Sequence, residues 1–163
     1  MDKKNILMAA AIMFGIVAFY EVSLLIRGDY FLEKALLVFA LLMFAVACYK
    51  GLDNNMLLLL TSAVYLVQSI ISLLAVLIEG YEVVLSDFLL IAGAAVLFYI
   101  VFELYKGNYG PADKLAILPA LLVLGSFIYF DIRFGTNGLK FYDYVIYLEP
   151  VALFLMCSYL KEN

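Results

Sequence analysis

Six apolar stretches divide the chain: Ile6 to Ile26, Phe31 to Tyr49, Met56 to Ile78, Phe88 to Tyr105, Leu115 to Phe130 and Tyr144 to Leu160. Only short charged or glycine-containing connections separate them. A membrane-crossing helix needs roughly 20 mainly apolar residues, at about 1.5 Å each, to pass a hydrocarbon core about 30 Å thick. Six such spans use most of the 163 residues and leave no room for a separate soluble domain of ordinary size. The sequence therefore predicts an all-α fold, a polytopic integral membrane protein in which residues 1–163 form one six-transmembrane-helix bundle with the lipid bilayer as its first partner. A membrane barrel would need alternating segments near 10 residues, and about eight of them.

The punctuation between runs fits helices. Gly28, Gly51, Gly80, Gly107 and Gly135 each follow a run, where a left-handed C-terminal cap favours glycine. Asp53-Asn54-Asn55, Ser86-Asp87 and Pro111-Ala112-Asp113 precede the third, fourth and fifth runs as start signals. Pro119 predicts a bend near the start of the fifth helix, because it leaves the Leu115 carbonyl without its helical donor. The segment Phe130 to Asp143 alternates apolar and polar residues around Gly135-Thr136-Asn137-Gly138. That pattern predicts a short surface hairpin, or an amphipathic connector lying in the headgroups.

Charge sets an orientation. Lys3, Lys4, Lys50, Lys106, Lys114 and Lys161 fall on one side; Arg27, Lys34, Arg133 and Lys140 fall on the other. The bias puts the N- and C-termini in the cytoplasm of a cell membrane. The opposite face collects Asp29, Glu33, Glu79, Glu82, Asp87, Asp131 and Asp143, a net negative surface that reads first as a solvated one. The first run is too long for a signal-peptide core, contains Glu21 and ends in Arg27, so it reads as an uncleaved span.

Phe19 to Tyr30 aligns with Phe98 to Tyr109, with Phe, Tyr, Val, Leu, Gly and Tyr repeated in register. One match of this quality is expected by chance in so biased a chain. Its position, at the end of a first helix in each half, raises a second expectation: two three-helix repeats, residues 1–80 and 81–163. Because three is odd, the copies would be inverted, as in many secondary transporters. Ala11 with Gly15 and Gly93-Ala94-Ala95 supply small residues at matching places for close helix contact.

Residue types remove much chemistry. The 163 residues include no His and two Cys. A His-ligated haem, a His-containing zinc site and a nucleophile paired with His are therefore excluded. No phosphate-binding glycine loop, paired-cysteine metal motif or basic stripe for nucleic acid occurs, so the expected set is no cofactor, no metal and no nucleic acid. Cys48 and Cys157, near cytoplasmic helix ends, read as small apolar side chains.

Three carboxylates remain in or near the apolar runs: Glu21, Glu103 and Glu149. A charge at the bilayer centre costs about 2.5–3.5 kcal/mol on insertion scales, so such an acid is a functional candidate by default. Glu103 is near its helix end and within reach of Lys106 at i+3, a structural placement. Glu21 and Glu149 lie at similar depth on antiparallel helices. They can converge into one ion- or ligand-binding site, with Ser23 and Gln68 adding polar contacts and Pro150 releasing the Ile146 carbonyl. The competing reading pairs these acids with Arg27 or Arg133 in separate crevices.

Transport or conduction of a cation or proton-coupled solute is the leading expectation, with homodimerisation giving a small chain more room. The alternative is a non-catalytic scaffold, sensor or accessory subunit with a packed core, bound to a partner membrane subunit. Enzymatic chemistry is not expected, since a pair of acids would be its only means.

Overall fold

The computed structural model describes residues 2–26, 31–135 and 141–160. Seven α-helices fill them: α1 (Lys3–Ile26), α2 (Phe31–Tyr49), α3 (Asn55–Ile78), α4 (Leu85–Tyr105), α5 (Gly110–Leu115), α6 (Leu118–Phe134) and α7 (Leu148–Cys157). A 3₁₀ segment, Phe141–Tyr147, leads directly into α7, and no strand occurs among the described residues. Five helical stretches are long and apolar enough to cross a membrane: α1, α2 over Leu32–Tyr49, α3, α4, and Gly110–Phe134, which takes in α5 and α6. The chain is thus a multi-pass helical membrane protein.

Local sequence sets the helix ends. Asn54 caps α3 by accepting from the Leu57 N–H at 2.9 Å, which removes one of the donors a helix start leaves unpaired. At α4 the helix begins at Leu85, slightly earlier than Ser86-Asp87 implies. Asp87 reaches back from the first turn to accept from the Val84 N–H at 2.9 Å. Gly80 and Gly107 close α3 and α4 with φ of 74° and 85°, a region that penalises any Cβ. Gly28 lies outside the described residues.

Three expectations change. The single fifth helix is two, α5 and α6, with Pro111 and Pro119 each in a first turn, where a missing N–H costs nothing. Pro111-Ala112-Asp113 therefore lies inside α5. The surface hairpin is absent on both described flanks: Phe130 to Phe134 are the last turn of α6 and Phe141 to Asp143 begin the 3₁₀ segment. Phe130 and Phe134 belong to one helical face, their rings 4.7 Å apart, so the period is helical and not two. Thr136 to Lys140 lie outside the described residues. The sixth run is not one α-helix but the 3₁₀ segment followed by α7.

Neighbours in sequence are neighbours in space. Contacts run α1 to α2, α2 to α3, α3 to α4, α4 to α6, α6 to α7 and α7 back to α1, which closes a ring. Small residues let α4 and α6 approach: a Cβ on Gly93 would meet Val123 Cγ2 at 3.1 Å and the Pro119 carbonyl at 3.2 Å. Ser126 Oγ ties the same pair by donating to the Ser86 carbonyl at 2.9 Å. Gly15 does not play the matching role in α1, because nothing stands within 4 Å of its added Cβ. There the contact with α2 includes Phe14 stacked on Phe44, and Ala10 and Val17, a turn away on α1, are fully buried.

Along the bundle axis the interior changes character. Towards the ends of α1, α3 and α6 and the starts of α2, α4 and α7 it is polar. Towards the termini it is apolar, with Leu7, Phe14, Phe44, Leu58, Leu97 and Met156 almost wholly buried.

A candidate charged cavity on the bundle axis

A cavity of about 200 Å³ occupies the polar half, and every element except the short α5 contributes to its wall. Glu21 enters from α1, Lys34 and Leu37 from α2, and Glu149 from the first turn of α7. From α3 come Tyr65, Gln68, Ser69 and Ser72, spaced three or four residues apart on one face. Leu90 of α4, Phe127 of α6 and Ile146 of the 3₁₀ segment close the remaining sides with apolar surface.

The two acids predicted to converge border this one cavity, and both are nearly inaccessible, Glu21 at 5% and Glu149 at 4% exposure. Their partners differ. Lys34 Nζ lies 2.6 Å from Glu21 Oε2, an ion pair between α1 and α2. Glu149 Oε1 accepts a hydrogen bond from the Tyr65 hydroxyl, and among the described residues no ammonium or guanidinium lies within 4.0 Å of it. Arg133 is 4.0 Å from Glu82 at an exposed position, so it is not the counter-ion of either acid; Arg27 lies outside the described residues.

Gln68 is nine-tenths buried and borders the cavity, yet its amide has no hydrogen-bond partner among the described residues. The amide atoms keep some accessible surface, and cavity contents are their remaining source of hydrogen bonds. Ser69 Oγ donates to the Tyr65 carbonyl at 3.0 Å, leaving its oxygen able to accept. Ser23 differs from the other predicted residues. It does not border the cavity, and its hydroxyl donates to the Tyr20 carbonyl of its own helix at 2.6 Å. Glu103 is held by Lys106 at 3.2 Å and Asn108 at 2.7 Å, as its place near a helix end implied.

Tyr65 joins the cavity to the apolar half below it. Its ring packs edge-on against Phe44 at 5.7 Å, and Phe44 stacks on Phe14 at 5.3 Å. Tyr65 borders the cavity, and Phe44 and Phe14 continue the aromatic stack beyond it across α2 and α1. On the other side the 3₁₀ segment that delivers Glu149 is fastened at two points. Tyr20 of α1 donates to Asp143 at 2.8 Å, and Tyr147 donates to Asp131 of α6.

Lys34, Tyr65 and Ser69 are site residues that sequence reasoning missed. The α3 stripe of Thr61, Ser62, Tyr65, Gln68, Ser69 and Ser72 was available as a signal, because a polar face at helical spacing inside an apolar run faces protein and not lipid. Comparison of the chain with protein-family models, with curated proteins and with solved structures found no match.

Proposed function

We propose that this chain is a small membrane transporter for a cation or a proton-coupled solute, with the axial cavity as its binding centre. The observation that carries the reading is the meeting of Glu21, Lys34 and Glu149 in a cavity walled by all the long helices. Charged groups at membrane depth are expensive, and packing alone gives no reason to gather them. The cavity also weighs against a scaffold or accessory subunit, whose expected interior is packed throughout.

In this reading the chain crosses the membrane six times. The last crossing combines seven residues of 3₁₀ helix with ten of α-helix. At about 2.0 and 1.5 Å per residue these reach roughly 29 Å, close to the hydrocarbon thickness. A span broken beside a buried carboxylate is the arrangement in which discontinuous helices serve transporter sites. Six crossings return both termini to one side. That side is cytoplasmic by the positive-inside rule, more clearly once Lys34, engaged with Glu21, is set aside from the loop charges. The ring order also suits two inverted halves, α1–α3 and α4–α7, although Gly15 and Gly93 have different surroundings. Apolar closure below the aromatic stack and a polar cavity above it correspond to one of the two states of alternating access.

Proton and cation flux into proteoliposomes tests the proposal. Wild-type protein should carry flux that Glu149→Gln and Glu21→Gln abolish while eluting as folded, monodisperse protein. Absence of flux from the wild type across alkali cations and pH gradients of both signs overturns it.

A further inference from the structure

Charge counting across the cavity leads further, and rests on the transport reading only for its physiological meaning. Its wall carries two carboxylates and one ammonium. Lys34 sits against Glu21, so one acid has an internal counter-ion and Glu149 has a hydrogen bond but no ion-pair partner among the described residues. A buried charge without compensation is unfavourable in a low-dielectric surrounding. The cavity as built is therefore short of one positive charge, and it has space for one beside Glu149.

We propose that Glu149 is a single-charge exchange site at which one proton and one small monovalent metal cation compete, and that Lys34 is a tethered cation that holds the count at one. Two observations besides the acids point to a bound ion. The Gln68 amide, nine-tenths buried on the cavity wall, is without a hydrogen-bond partner among the described residues and offers a carbonyl oxygen. The Ser69 hydroxyl oxygen, whose proton is committed to the Tyr65 carbonyl, borders the same cavity and retains its capacity to accept. Carboxylate, amide and hydroxyl oxygens make a hard, all-oxygen ligand set, which suits an alkali ion and not a thiophilic metal.

The groups facing Glu149 from the elements around it define the competition. Glu21 of α1 adds a negative charge that Lys34 of α2 cancels, and Tyr65 of α3 donates to the carboxylate. Phe127 of α6 and Ile146 of the 3₁₀ segment bring no charge. One positive charge enters when one leaves, so exchange of a proton for a cation moves no net charge within the site. Without Lys34 the same wall would hold two unmatched carboxylates and draw two monovalent ions or one divalent ion.

Equilibrium binding of radioactive sodium and rubidium to purified, detergent-solubilised protein over a series of pH values tests this. Wild type should bind one ion per chain, with apparent affinity falling about tenfold per pH unit once protonation competes. Glu149→Gln should bind none. Lys34→Met should raise the stoichiometry to two or admit barium, whereas Lys34→Arg, which keeps the charge, should stay at one. Glu21→Gln should weaken binding at least tenfold, because the released ammonium is drawn to Glu149. Thermal unfolding of each variant identifies those that are folded, and Lys34→Arg against Lys34→Met carries the decision if Glu149→Gln fails to fold. Wild type that takes up protons but binds neither ion overturns the proposal, as does a Lys34→Met protein that still binds a single monovalent ion and no barium. Binding without flux in proteoliposomes would sink the transport reading and leave the exchange site standing; flux without binding does the reverse.

Discussion

The two halves of the bundle interior are built from the same helices yet obey different rules. In the half nearer the termini, Phe14, Phe44, Leu58, Leu97 and Met156 interlock with no exposure, and the hydroxyls of Thr61 and Ser62 are returned to the carbonyls of Leu57 and Leu59 on their own helix. In the cavity half, Glu21, Lys34, Gln68 and Glu149 project across helices into shared space. Without a hydrophobic drive between helices in lipid, packing density and satisfied polar groups hold a bundle together. The termini half meets both conditions internally. The cavity half meets them only in part, since Gln68 borders open space and the Ser86 hydroxyl is buried without a hydrogen bond among the described residues. A packed apolar half and a polar cavity half are thus separated along the axis, with Tyr65 at the border.

The strongest way to break that comparison places one new carboxylate in each half. Leu97→Asp removes core packing worth about 2–5 kcal/mol and adds about 2.5–3.5 kcal/mol for a charge near mid-membrane. Its site is fully buried in the apolar core. It should abolish recovery of folded protein, read as monodisperse material by size-exclusion chromatography. Leu37→Asp puts the same group on the cavity wall, at i+3 from Lys34, where an acid gains a partner. It should remain folded. Equal loss in the two variants would show that the halves do not differ in their tolerance of charge.

A smaller effect is expected at the border. Tyr65→Phe keeps the ring against Phe44 but deletes the donor to Glu149. Hydrogen bonds to charged groups contribute about 1.5–3 kcal/mol. The variant should unfold at a lower temperature in detergent, and Glu149→Gln should no longer add its full loss when combined with it. Additive losses in this double-mutant cycle would mean that the bond does not couple the two residues.

The same contrast explains what the sequence revealed. Five of the six runs were legible as membrane-capable helices because each is long enough to satisfy its own backbone in lipid, a requirement that leaves few alternatives. The convergence of Glu21 and Glu149 was legible through depth, since antiparallel helices of counted length bring residues to matching levels. Rotation about each helix axis was not available from depth, and Ser23 shows the consequence. Lys34 was hidden for a different reason: at the start of α2, beside Glu33, it has the appearance of a loop charge and gains its role from α1. The 3₁₀ segment was equally illegible, because the bonds from Tyr20 to Asp143 and from Tyr147 to Asp131 that fasten it are tertiary.

Ser23 provides the smallest predicted effect and the sharpest control on the division. It lies at the depth of the site, two residues beyond Glu21, but positions two apart on a helix do not share a face. Its hydroxyl is held by the Tyr20 carbonyl at 2.6 Å, a local bond that a helix can lose without leaving a buried donor behind. Ser23→Ala should therefore change unfolding temperature little and leave sodium and rubidium affinity within about twofold, an energy below about 0.4 kcal/mol. Gln68→Ala, by contrast, removes an oxygen from the wall and should weaken the same binding at least tenfold. If the two variants behaved alike, depth alone would define the site. The orientation of side chains into the cavity would then have no part in selecting which residues act.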